Sequence, residues 1–148
     1  MESLRQQMFP KKIDQDFVKQ LLLLEEGDQL EFKQQINSQE KIAKTLSAFS
    51  NSKGGILVIG ISDQRKIVGI DQEEERYMIT AANDSFCIPR VSLEIKPVTI
   101  DPEYYLEDEK MVLVVLVHAS LGPRVFVKQK NDSLKAYCRI GNQSKVLE

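Results

Sequence analysis

The stretch AFSNSKGGILVIGISD, residues 48–63, joins a helical pattern to a strand pattern, and its reading decides the fold. Upstream, Ile42, Ala43, Leu46 and Phe49 recur at the spacing that puts them on one helix face. Asn37, with Glu40 three positions on, is a variant of the capping box and predicts where that helix opens. Gly54 stands where a helix needs a left-handed cap, and Gly55 begins an apolar strand over 56–61. A nucleotide phosphate loop has the opposite order: it follows a strand, opens a helix and ends in Gly-Lys-Ser or Gly-Lys-Thr. Here the glycines follow a helix and Gly60 precedes Ile61-Ser62, so no nucleotide cofactor is expected. The stretch reads first as a structural corner, with Asn51 and Lys53 left to face a ligand.

Working outward, Phe17, Leu21 and Leu24 predict a helix over 14–26 with Gly27 as its cap. Leu30 and Phe32 predict a short strand with those two side chains inward. Beyond the corner, a turn at 63–66 leads to a strand over 67–70, and residues 72–86 read as a helix opened by Glu73, Glu74 and Glu75. Val91, Leu93 and Ile95 alternate in a strand that runs on towards Ile100, and 111–118 is an apolar run of buried-strand length. A terminal hairpin spans 124–128 and 134–140, turning near Asn131-Asp132. This order predicts an α+β class: a mixed, largely antiparallel β-sheet flanked by about three helices. Residues 1–12 read as a loose N-terminal arm and 13–148 as a single domain.

The 148 residues suffice for a real core, and 42% hydrophobic with 28% charged is an ordinary globular composition. No apolar segment approaches the roughly 20 residues of a membrane span, and the N-terminus lacks the apolar core of a secretory signal, so a cytoplasmic protein without membrane partners is expected. Two cysteines and one histidine do not complete a zinc site of sulfur and imidazole in one chain. Cys138 alternates with Leu134, Ala136 and Ile140 and reads as a core thiol, while His118 has no acid or nucleophile beside it in sequence. The net charge of −2 hides alternating blocks: residues 33–66 and 121–148 each carry six cations against two acids. A basic face is compatible with a chain that is acidic overall.

The closing hairpin carries part of that basic charge. Arg124, Phe126 and Lys128 share one face of their strand, and Lys135, Tyr137 and Arg139 share one face of theirs. An even loop would set Phe126 opposite Tyr137, Lys128 opposite Lys135 and Arg124 opposite Arg139. Like charges opposite one another destabilise a sheet unless an anion lies between them. Aromatics flanked by cations are what single-stranded nucleic acid uses, bases stacking and phosphates pairing. The same residues also admit a structural reading, in which long basic side chains lie over an apolar face and a helix covers Phe126 and Tyr137.

Several ordered motifs together resemble the Schlafen AlbA-like domain family. They are Glu31-Phe32-Lys33, the helix ending Ala48-Phe49-Ser50-Asn51, Gly54-Gly55 with the strand to Asp63, Ile67-Val68-Gly69, and Ala136-Tyr137-Cys138-Arg139-Ile140-Gly141. The resemblance covers roughly residues 20–145 and implies an α+β module that binds RNA or DNA. In the Schlafen proteins proper, the domain serves as a metal-dependent endoribonuclease on structured RNA. Carried over by motif, that activity would place catalytic, metal-binding carboxylates at Glu26, Glu31 and Asp63 with Mg or Mn as cofactor. The residues alone leave another reading open, in which Lys33 pairs with Glu31 on one strand face. Two such domains are fused around a basic cleft in those proteins, which predicts a homodimer for a single copy. The first expectation is therefore nucleic-acid binding through Lys33, Lys53, Arg124, Phe126, Lys128, Lys135, Tyr137 and Arg139. The alternatives are the endoribonuclease and a protein-interaction module without nucleic-acid affinity.

Overall fold

A computed structural model describes residues 9–148; the first eight residues of the expected arm lie outside the described residues. The elements in chain order are α1 (Gln15–Leu21), β1 (Leu30–Lys33), α2 (Gln39–Ser50), β2 (Gly55–Ile59), α3 (Gln72–Phe86), β3 (Cys87–Ile88), β4 (Leu93–Ile100), β5 (Lys110–Val117), β6 (Phe126–Lys128), β7 (Leu134–Ile140) and β8 (Gln143–Val146). The strands divide between two four-stranded sheets, ordered β1-β2-β5-β4 and β3-β6-β7-β8. In the first, β1 runs parallel to β2 through the α2 crossover, and all other pairs are antiparallel. The second sheet is antiparallel throughout. The expected α+β class holds.

Alternation along β2 and β5 splits the interior in two, because successive strand residues point to opposite faces. Ile56, Val58, Val112, Val114 and Leu116 meet Val18 and Leu21 of α1 on one side. Leu57, Ile59, Leu113, Val115 and Val117 face α2, α3 and the inner side of the second sheet on the other. The first sheet is thus covered on both faces, whereas among the described residues the second is covered on one.

Local chemistry sets the helix ends. Asp14 caps α1, its Oδ1 accepting from Phe17 N at 3.0 Å, and that hydrogen bond holds the carboxyl below the usual range. The helix stops at Leu21 rather than Glu26, and Arg65 donates to the carbonyls of Leu22 and Leu24 in the turning backbone beyond it. Ser38, not Asn37, caps α2, its Oγ accepting from Lys41 N at 3.2 Å. Asp71 caps α3 through Glu73 N and Glu74 N. Residues 67–70 form no strand; a single bridge joins Ile61 to Ile67. β8 was not foreseen. It follows β7 through a two-residue turn, Gly141-Asn142, with Gly141 at φ 56°.

The corner at 51–55 is structural. Gly54 has φ +78°, and a Cβ there would lie 2.7 Å from the Val117 carbonyl oxygen. At Gly55 a Cβ would meet the Phe49 ring at 2.4 Å.

Candidate functional site

The terminal hairpin turns through an odd loop. Gln129 N donates to Ser133 O at 2.8 Å, closing a three-residue loop with Asp132 at φ 65°. Phe126 therefore stands opposite Ala136, Val127 opposite Lys135 and Lys128 opposite Leu134. The even register expected from sequence is corrected by one residue, and with it the opposed pairs Phe126–Tyr137 and Lys128–Lys135 disappear. An odd loop is enough, because it moves every partner by one position.

Directly opposed residues share a sheet face, so the pairing sorts the side chains. Val127, Tyr137 and Cys87 turn inward and pack with α2. Ile88, Phe126, Lys128, Leu134, Ala136, Cys138 and Ile140 turn outward, joined by Lys145 opposite Cys138. Among the described residues no helix covers this outer face. Ile88 and Leu134 are each 47% exposed and Ile140 59%. Arg124, also exposed, leads into β6 two residues before Phe126. The apolar alternation that read as a core thus belongs to the open face, with Cys138 half-buried on it.

The inward residues are out of reach of a ligand on that face. Tyr137 is 6% exposed, with the Lys44 ammonium 5.7 Å from its ring centroid. Arg139, expected as a phosphate contact, is buried between the two sheets. Its Nε donates to Gly27 O at 3.0 Å, and its Nη1 donates to Glu31 Oε1 at 2.6 Å and to Ser144 Oγ at 3.3 Å. The guanidinium carbon lies 4.7 Å from the Phe49 ring centroid. Lys135 is exposed but springs from the inward side of β7, beside Glu40. Lys33 pairs with Glu31 at 3.4 Å, and Lys53 with Asp28 at 3.3 Å. Of the eight expected contacts, Phe126 and Lys128 share the outer face, with Lys128 3.5 Å from Asp132, and Arg124 is exposed two residues before Phe126. Lys33, Lys53 and Arg139 sit around β1 instead.

The three carboxylates are not gathered. Glu31 is engaged by Arg139, and Glu26 Oε2 accepts from Phe32 N at 2.8 Å. Asp63 is exposed in the turn after Ile61. Among the described residues no three His, Cys, Asp or Glu side chains are grouped to hold a metal ion. The buried polar atoms here without a hydrogen bond are one acceptor, Glu31 Oε2, and one donor, Arg139 Nη2. A dication would serve the first and be repelled beside the second, so these residues do not fit a divalent metal centre.

Three further features were missed in sequence. His118 does have an acid partner: Glu94 Oε2 lies 2.9 Å from its Nε2, brought there by the β4–β5 pairing, and Phe9 meets the imidazole edge-on at 5.1 Å. Asn51 spends its amide on the backbone of Val125 and Tyr137 rather than on a ligand. A concavity of about 550 Å³ sets Lys19, Arg65, Lys66 and Lys110 against Asp101, Glu103, Glu107 and Asp108, a balance that gives no anion-attracting field. No described helix is long and apolar enough to cross a membrane.

Comparison with known proteins agrees with this architecture. No curated protein matches the sequence. Among solved structures, the crystal structure of the DIP2311 protein from Corynebacterium diphtheriae aligns at a TM-score of 0.51 with 19% identity, which is a likeness of fold. The alignment covers 88% of this chain but 30% of that one, so this chain spans less than a third of its length. A family model described as Schlafen, AlbA_2 matches residues 26–148, from the glutamate before β1 to the end of β8 and beyond. The chain belongs to the Schlafen, AlbA_2 family.

Proposed function

We propose that the chain is a nucleic-acid-binding module that receives a single strand on the outer face of its second sheet. The observation that carries this reading is the common outward placement of Phe126 and Lys128, with Arg124 before them and Lys145 across β7. An aromatic ring on an open sheet offers a stacking surface for a base, and cations around it pair with phosphates. Residues two apart on a strand lie roughly 7 Å apart, which suits successive phosphates of an extended strand. Family membership supports a nucleic-acid role of this general kind. Cleavage forms no part of the reading, since Glu26 and Glu31 are engaged within the protein and Asp63 is not grouped with them.

Fluorescence anisotropy with labelled single-stranded RNA, single-stranded DNA and duplex DNA across a salt series tests it. Single strands should bind, with log K falling linearly in log salt. Replacing Arg124 and Lys128 together by Ala should flatten the slope by about 1.4, two phosphate contacts at roughly 0.7 each. Affinity and slope that survive the double substitution would remove this face from the binding model.

The apolar side chains Ile88, Leu134 and Ile140 favour one other occupant, a second copy of the chain meeting face to face. Light scattering that shows mass doubling with concentration, abolished by Ile140→Lys, would select that reading.

A further inference from the structure

We infer that Arg139 is the resident cation of the Glu31 carboxylate, filling the place that the metal-dependent reading would give to a divalent ion. The inference concerns the β1 edge and stands independently of the outer sheet face.

The geometry is that of a built-in counter-ion. The Arg139 side chain is 1% exposed and its Nη1 lies 2.6 Å from Glu31 Oε1, whose side chain is 10% exposed. A buried carboxylate this close to a guanidinium is compensated where it stands. The guanidinium also lies over the Phe49 ring, so the cation meets an aromatic face as well as an anion. Lys33 supplies a second positive charge 3.4 Å from Glu31 Oε2. Glu26 contributes no free pair of oxygens, because its Oε2 already accepts from Phe32 N. Glu31 thus meets two cations at the edge of β1.

Position in the fold makes the arrangement hard to exchange. Arg139 lies on β7 of the second sheet, while Glu31 lies on β1 of the first, so the pair also joins the sheets. A dication that took Glu31 Oε1 would leave the guanidinium buried under Phe49 without its anion, the situation that makes half of a buried ion pair so costly, and one at Oε2 would stand against the Lys33 ammonium. Nor can arginine deprotonate to make room. The site is closed to metal by a residue of the chain itself.

The two models give opposite signs for one substitution. If Arg139 is the counter-ion, Glu31→Gln removes its charge partner, and Tm in EDTA should fall by roughly 10 °C. If the carboxylates instead await a metal, removing one negative charge relieves repulsion and Tm in EDTA should rise. For the wild-type protein, millimolar MgCl2 or MnCl2 should shift Tm no more than NaCl of equal ionic strength. The paired replacement Glu31→Met with Arg139→Met should recover part of the loss, since no buried charge then remains unpaired. Should Glu31→Gln fail to fold, the wild-type MnCl2 titration decides alone. A manganese-specific rise in wild-type Tm, or a Glu31→Gln protein as stable as its parent in EDTA, overturns the inference.

Discussion

Asn51 and Val125, 74 residues apart, exchange two hydrogen bonds: Asn51 Nδ2 donates to Val125 O at 2.9 Å, and Val125 N donates to Asn51 Oδ1 at 2.8 Å. The same Nδ2 reaches Tyr137 O at 2.9 Å, so one side chain at the end of α2 ties down the chain on both sides of the hairpin. Asn51→Ala strands these backbone groups in a part-buried position, and we expect a loss of roughly 3 kcal/mol in urea denaturation. Asn51→Asp should cost at least as much, because it sets a carboxylate against two carbonyls. A loss below about 1 kcal/mol for both would show that the surrounding backbone finds other partners.

Gly54 and Gly27 form a matched test of the corner. Gly54→Ala meets both a left-handed backbone and the Val117 carbonyl at 2.7 Å, whereas a Cβ at Gly27 meets nothing within 4 Å. The first should cost about 2 kcal/mol or more from backbone strain and crowding, and the second should be near neutral. Equal thermal stabilities would contradict the strain assigned to the left-handed backbone at Gly54.

The two thiols should separate cleanly in a reaction with a disulfide reagent. Burial pushes Cys87 up to about 12 and leaves it without thiolate at neutral pH. Cys138, half-buried on the outer face, should react first. Saturation with single-stranded RNA or DNA should slow Cys138 and leave Cys87 unaffected. Protection of neither thiol under saturating conditions would place the ligand elsewhere.

Glu75 offers a pH signature. Its Oε1 accepts from Ile36 N at 2.7 Å, but burial, with Glu74 and Asp71 adding to it, raises its carboxyl above the ordinary 4.5. A raised folded-state value means the native protein binds the proton more tightly than the unfolded chain does. That share of stability is present below pH 4.5 and is lost as pH rises through the raised value. Wild type should therefore lose stability relative to Glu75→Gln over that interval and run parallel to it above. A difference independent of pH would remove Glu75 as the source.

Much of the architecture was legible because its signals are local. The apolar runs of β2 and β5 announce strands buried on both faces, and α3 is bounded by Asp71 and by Ile88-Pro89 within the same stretch. The site was less legible because its decisive contacts are distant in sequence. Nothing near Arg139 shows that Glu31 and Phe49 will enclose it, so exposure was the natural expectation for an arginine. Hairpin parity turned on a single residue, Asp132, taking a positive φ. β8 lacks an apolar pattern, and its one local sign was the turn pair Gly141-Asn142.

The division of the interior also sets an order on synthesis. The α1 side of the first sheet has all its buried members once Leu116 has emerged, since they run from Val18 to Leu116. The α2 side still awaits Val125, Val127 and Tyr137. Until these emerge from the ribosome, Ser47 and Asn51 have no backbone partners in the hairpin, and the flank of α2 next to them stays wet. The order of the chain thus supplies the α1 side of the sheet before the α2 side. A cotranslational chaperone would meet that open flank of α2 before the second sheet exists.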